Sequence, residues 1–187
     1  ELRASVTLKQ IPRLGLYEQE SKLFDVQVSN WTDPINLFEW LSINSGGFPE
    51  PYTFGKRLKK VLSNDIDKYD IVHDNQSLCY ELLDFQKKKP LVTTIHHPIS
   101  KDLNYQLQST NDIFLKLLMR RWHSFLTMQK FVAKKLNKIL VPSKSSIVDI
   151  REEFGVKENK MERLMNGIDR NVFYPDPKVK KISRRIV

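Results

Sequence analysis

The sequence predicts an α/β fold, an open parallel sheet of Rossmann type with flanking helices. Short apolar runs rich in β-branched residues alternate along the chain with longer stretches of helical periodicity. This alternation is typical of parallel sheets, because each crossover between parallel strands needs a connection long enough for a helix. The 187 residues suffice for one domain with a substantial core and the beginning of a second.

The N-terminal third contains one predicted strand and two predicted helices. Val6 to Leu8 should form a short strand. Asp33-Pro34 is a helix start, and that helix should carry Leu37, Trp40 and Leu41 on one side. Thr53 is the expected N-cap of a second helix over about 54–62. The expected inward residues of that helix are Phe54, Leu58, Val61 and Leu62.

The remaining chain gives a regular alternation of strands and helices. Strands are expected over 69–73, 91–95, 139–141 and 160–165. A helix should begin with a cap at 75–77 and end near 85. The longest helical pattern runs from a cap at 111 or 112 to about 136, and Ser143 should cap a last helix that Gly155 closes.

Composition and charge exclude several classes of protein. Forty per cent of the residues are hydrophobic, which argues against disorder, and no apolar run is long enough to cross a bilayer. The net charge of +9 favours polyanionic partners, but no nucleic-acid motif accompanies it. Cys79 is the one cysteine, so no intramolecular disulfide forms; we expect a buried thiol and a cytoplasmic protein.

The strand ends select the residues for a binding site. Ligands of open parallel sheets bind beyond the carboxyl ends of the strands. The segments that follow the predicted strands are His73 to Asn75, His96 to Ile99, Pro142 to Lys144, and Asn166 to Asp169.

Four segments resemble, in order and spacing, the N-terminal domain of the type 4 glycosyltransferases, which have two facing Rossmann-like domains (the GT-B fold). They are Tyr69 to Asn75, Pro90 to Pro98, Ile139 to Ser143, and Lys160 to Asp169 with Phe173 and Pro175. Asn75 stands where the family has a second histidine, and Met165 where it often has proline.

This resemblance implies an incomplete, acceptor-side domain over residues 1–177, followed by a linker and the start of a C-terminal donor-binding domain over 178–187. It implies a retaining glycosyltransferase that moves a sugar from a nucleotide-diphosphate sugar to an acceptor hydroxyl of a lipid, glycan or small molecule. No metal or resident cofactor is expected, since the nucleotide sugar is a co-substrate. Without the C-terminal domain, the chain is expected to be inactive.

The resemblance also assigns roles to the strand-end residues. The matching histidine lies near the transferred sugar, so His96 is the expected catalytic residue; the structural alternative is a histidine bonded to backbone. His73, Asn75 and His97 could line the acceptor cleft, although Asn75 could instead cap the next helix, and His97 could only face solvent.

The later strand ends give the remaining site residues. Ser143 is expected to cap a helix whose N-terminus could bind phosphate, with charge added by Lys144. Asn166, Gly167 and Asp169 should border the cleft at the interdomain hinge, mainly as structural residues.

A second function remains open from the sequence alone. The helical pattern from Asn111 to Leu136 is amphipathic and basic, so the chain could be a non-catalytic binding module, or dock on the anionic inner face of a membrane. A packed helix with a solvated basic side is the alternative. The basic residues are Lys116, Arg120, Arg121, Lys130, Lys134 and Lys135. An epimerase or phosphorylase of GT-B fold is a third reading.

Overall fold

The computed structural model describes residues 6–15 and 32–174. Within these ranges four parallel strands form one sheet in the order of the sequence, which confirms the predicted α/β class. The strands are β1 Val72–Asn75, β2 Leu91–Thr94, β3 Ile139–Val141 and β4 Met161–Arg163. The helices are α1 Pro34–Asn44, α2 Glu50–Leu62, α3 Leu82–Lys88, α4 Ile99–Gln108, α5 Ile113–Trp122, α6 Leu126–Lys135 and α7 Lys144–Phe154.

One face of the sheet carries the core. Because side chains alternate along a strand, the inward positions of β2 and β3 fall on a common face, and Leu91, Ile139 and Val141 are buried there. Residues from α3, α6 and α7 complete this core, among them Leu82, Val132 and Phe154. The alternate strand positions stay partly or fully exposed: His73, Asn75, Val92 and Thr94.

The predicted strand at Val6 to Leu8 is wrong. Residues 6–15 contain no strand, and Val6 and Leu8 are 51% and 78% exposed, so their alternation has no sheet face to pack on.

Helix α1 begins as predicted but buries a different face. The Asp33 side chain accepts a hydrogen bond from the Ile35 amide at 2.8 Å and caps the helix. Leu37 and Leu41, which the sequence places with Trp40 on one apolar side, are both exposed, whereas Glu39 is buried. Where α1 contacts α2, the buried Glu39 pairs with Arg57 in place of the predicted apolar stripe.

Helix α2 begins three residues before the predicted cap. Thr53 lies inside the helix, where its hydroxyl contacts the Pro49 carbonyl at 3.5 Å, so it is no N-cap. Pro51 lies in the first turn, where its fixed φ suits a helix start. Phe54 faces out, whereas Gly55 is buried. A Cβ at position 55 would lie 2.7 Å from the Cβ of Cys79, so the close packing there requires glycine.

The glycine pair after α1 is structural. Gly46 has φ +78 and follows the end of the helix, a conformation that favours glycine. A Cβ at Gly47 would lie 2.3 Å from the Arg121 guanidinium, which in turn donates to the hydroxyls of Ser42 and Ser45 at 3.0 and 2.7 Å. The turn thus joins α1 to α5.

The long helix predicted over 111–136 is interrupted. Asp112 caps α5 as expected, but a 3₁₀ turn at His123–Phe125 separates it from α6. The turn changes the buried face: no residue of α5 is buried, whereas Phe125, Leu126 and Met128 are. Helix α4 was not predicted, although Ile99, Leu103 and Leu107 recur at helical spacing and are all partly buried. No helix among the described residues has the length and apolar character needed to cross a bilayer.

The first strand lies two to three residues later than predicted. Tyr69 to Ile71 are exposed, and β1 runs to Asn75. Asn75 does not cap the following helix; Asp74 instead accepts hydrogen bonds from the amides of Ser77 and Leu78 at 3.2 and 3.4 Å. Cys79 lies buried after this turn, as expected, and burial raises the pKa of its thiol to about 11.

Candidate functional site

Two polar side chains meet at the carboxyl ends of β1 and β2. The Nε2 atom of His96 lies 2.8 Å from Oδ1 of Asn75, the last residue of β1. Because an amide oxygen only accepts, Nε2 carries the proton in this contact, and the lone pair of a neutral ring lies on Nδ1. His96 is half-buried, and Nδ1 has no hydrogen-bond partner among the described residues. The ring can thus accept a hydrogen bond from a ligand hydroxyl.

Gln76 fixes the backbone that carries this histidine. Its Oε1 accepts from the His96 amide at 2.6 Å, and its Nε2 donates to the His97 carbonyl at 3.0 Å. Gln76 itself has φ +60, in the left-handed region that non-glycine residues seldom adopt. The side chain therefore bridges the ends of the two strands, and a strained backbone directs it there.

His73 lies within β1 rather than at its end. Its Nε2 is 2.8 Å from the Thr94 hydroxyl of β2, on the face that also carries Asn75. The next residue, Asp74, points to the buried side, and burial raises the pKa of its carboxyl despite the hydrogen bonds from Ser77 and Leu78. Two histidine contacts therefore link β1 to β2 and the residues after it: His73 with Thr94, and Asn75 with His96.

His97 and the first turn of α4 form an exposed pair. The Nε2 atom of His97 lies 3.3 Å from Oδ2 of Asp102, and both side chains are more than half exposed. This contact joins the His97 ring to α4. His96 and His97, adjacent in sequence, therefore have different partners.

The predicted cap after β3 is confirmed. The Ser143 hydroxyl accepts from the Ser146 amide at 3.0 Å, and Lys144 is exposed in the first turn of α7. At the other end of α7, Gly155 has φ +66, as its predicted role in ending the helix requires. Ser143 makes no described contact with the histidine pairs.

Residues after β4 are exposed. Asn166 and Gly167 belong to no helix, strand or turn, and Gly167 has no neighbour within 4 Å of a Cβ position. Asn166-Gly167 is a residue pair typical of turns, but the turn begins at Asp169, whose carboxylate accepts from the Asn171 amide at 2.9 Å. Gly167 does not have the positive φ that favours glycine.

Sequence reasoning missed Asp74, Gln76 and Thr94. An aspartate three residues before a serine is a signal for a side-chain cap of the turn, and it could have identified Asp74. The roles of Gln76 and Thr94 depend on contacts between two strands, which no local pattern contains.

Comparison with known proteins adds a family and a relative. The family model described as "Glycosyltransferase Family 4" matches residues 18–172. The chain is also 35% identical over 183 residues to a protein of Mycolicibacterium hassiacum named "MMP alpha-(1->4)-mannosyltransferase". The match covers 97% of this chain and 44% of the relative, so the chain spans less than half the relative's length.

Proposed function

The chain belongs to glycosyltransferase family 4, and we propose that it is the acceptor-side half of a two-domain enzyme that transfers a sugar, with retention, from a nucleotide-diphosphate sugar to an acceptor hydroxyl. The observation that carries this proposal is the His96–Asn75 pair at the carboxyl edge of the sheet, where ligands of such sheets bind. The mannosyltransferase relative supports a hexose as the transferred sugar.

The proposed roles follow from the contacts. Asn75 holds the His96 ring so that its free Nδ1 accepts a hydrogen bond from a sugar hydroxyl near the reacting carbon. His73 and His97 flank the acceptor.

The later strand ends lie farther along the same edge. The N-terminus of α7, with Ser143 and Lys144, is a candidate for a phosphate contact. The exposed segment with Asn166, Gly167 and Asp169 forms the hinge to the donor-binding domain, which we place after residue 177.

An NMR titration of the 187-residue chain tests the acceptor-side assignment. The chain has four histidines, whose ring signals can be assigned with single substitutions. Methyl α-mannoside should shift the signal of His96, because its Nδ1 gains a partner. Guanosine diphosphate should leave His96 unshifted, because the donor site lies in the other domain. A nucleotide-induced shift of His96 without any effect of the glycoside would overturn the assignment.

A specific observation also favours peripheral membrane contact. Ile113, Phe114 and Leu117 of α5 are 75%, 70% and 56% exposed, and Lys116 and Arg120 lie on the same helix. Exposed apolar side chains beside basic ones are typical of helices that lie in an anionic lipid surface. We propose that α5 docks on such a surface, where a lipid acceptor would be available.

Flotation with liposomes tests the docking of α5. The chain should float with vesicles that contain phosphatidylglycerol and remain below with phosphatidylcholine alone. Phe114→Ser should remove most of the flotation, whereas Val148→Ser, at a 39% exposed position of α7, should not. Equal flotation of both variants would refute docking through α5.

A further inference from the structure

A cavity of about 400 Å³ adjoins the His96 site. It lies between the start of α2, the turn after β1, the start of α4 and the start of α6. Its lining residues are Phe48, Glu50, Pro51, Phe54, Gln76, Ser77, Ile99, Phe125 and Gln129. The volume falls within the range of about 300–1,000 Å³ that ligand sites occupy.

The walls of the cavity are mostly aromatic and aliphatic. The Phe48 ring stacks on Trp122 with centroids 5.2 Å apart and meets Phe125 edge-on at 5.6 Å. Phe54 is 36% exposed on the opposite, α2 side. These ring contacts hold Phe48 in place, so the apolar surface is formed before any ligand binds.

One buried acceptor at the cavity lacks a partner. Gln129 is 3% exposed and its Nε2 donates to the Ser77 carbonyl at 3.4 Å, but its Oε1 has no hydrogen bond among the described residues. Leaving a buried acceptor unpaired is costly, so a ligand donor that reaches this atom would gain a hydrogen bond that no described residue supplies.

The charges at the cavity select a neutral ligand. Among the described residues the lining contains no lysine, arginine or histidine, and its one ionisable side chain is Glu50, which lies 3.5 Å from Arg13. Without a cation on the described lining, phosphate groups would have no charged partner there. The cavity therefore does not suit a nucleotide diphosphate.

Gln76 connects the cavity to the histidine site. It lines the cavity, and its side-chain amide holds the His96 amide and the His97 carbonyl. A ligand in the cavity would therefore contact the same side chain that holds the backbone of His96.

We propose that this cavity binds the apolar group of the acceptor, an alkyl or aryl aglycone, while Gln129 Oε1 accepts a hydrogen bond from a hydroxyl beside it. This inference rests on the proposed function, since it assigns the acceptor of that same site. The acceptor class is thus an amphiphilic glycoside with an uncharged, apolar end.

Calorimetry on the 187-residue chain with two probes tests the cavity. Benzyl α-mannoside should bind at least about tenfold more tightly than methyl α-mannoside, because it buries an aromatic ring. Gln129→Met should weaken benzyl mannoside binding about fivefold, as expected for one hydrogen bond. Phe54→Ala should reduce the preference for the benzyl probe, whereas Phe131→Ala, a half-exposed phenylalanine outside the cavity, should not.

Equal affinity for the two probes, or a benzyl preference that survives Phe54→Ala, would overturn the cavity assignment. His96→Ala separates this result from the proposed function, because it should leave the benzyl preference intact. If the preference is present but no glycoside shifts the His96 ring, the cavity stands and the acceptor-side role of His96 falls. Thermal unfolding of Gln129→Met verifies that the variant is folded.

Discussion

Replacing His96 by alanine is expected to lower the rate of sugar transfer roughly 100- to 1,000-fold, the usual cost of a group that stabilises charge at the reacting centre. His96 is held from two sides, by Asn75 at its Nε2 and by Gln76 at its backbone amide, and its Nδ1 remains available. A side chain fixed in this way is pre-organised for a ligand, so its loss is not compensated by a neighbour.

Transfer can be measured in a chimaera. It joins this chain to the remaining half of the Mycolicibacterium hassiacum mannosyltransferase, whose length is less than half covered by the match. His123→Ala serves as the control histidine, because its Nδ1 contacts the Met119 carbonyl at 2.9 Å and lies away from the strand ends. An unaltered rate in the His96→Ala chimaera would remove His96 from the reaction.

Glu39→Ala is expected to destabilise the chain by about 3–5 kcal/mol, the cost of removing one partner from a buried ion pair. Glu39 and Arg57 are 1% and 8% exposed, and Oε2 of Glu39 lies 2.5 Å from Nη1 of Arg57. Arg57 also donates to Oδ1 of Asn36 at 2.7 Å. Alanine at position 39 would leave the guanidinium buried with only that neutral acceptor.

The matched control replaces both partners. The double variant Glu39→Met with Arg57→Met should recover most of the lost stability, because apolar residues of similar volume often replace a buried pair at little cost. Urea denaturation followed by circular dichroism gives the free energies of unfolding. A Glu39→Ala variant within about 1 kcal/mol of the parent would show that the pair is solvated.

The buried strands were predictable because their sequences are dictated locally. Leu91 to Thr94 and Ile139 to Val141 are short β-branched or aliphatic runs, and both form strands at the predicted positions. The Ser143 cap and the Gly155 end of α7 follow equally local rules of backbone hydrogen bonding.

The inward face of α1 was not predictable from periodicity. Leu37 and Leu41 fit an apolar stripe, but the helix buries Glu39 because Arg57 of α2 faces it. Such a pair satisfies two charges at once and cannot be recognised from either helix alone. The 3₁₀ turn at His123–Phe125 was not predictable either, because it lies where an exposed segment gives way to one that packs on the core.

Candidate site residues could be selected from the sequence, but their contacts could not. The strand-end rule selected His96 and Asn75 as candidates, and the structure adds that the two side chains are in contact. The roles of Gln76 and Gln129 could not be found, because each depends on a contact between segments that are distant in sequence. Sequence patterns therefore located the edge of the sheet, and tertiary contacts define what that edge can bind.

Sugar transfer by the chain alone and by the chimaera is the most direct test of the acceptor-side account. With a mannose nucleotide donor and a mannoside acceptor, mass spectrometry should detect elongated product from the chimaera and none from the 187-residue chain. Product formation by the 187-residue chain alone would contradict the account, because it would show that these residues contain the donor site as well.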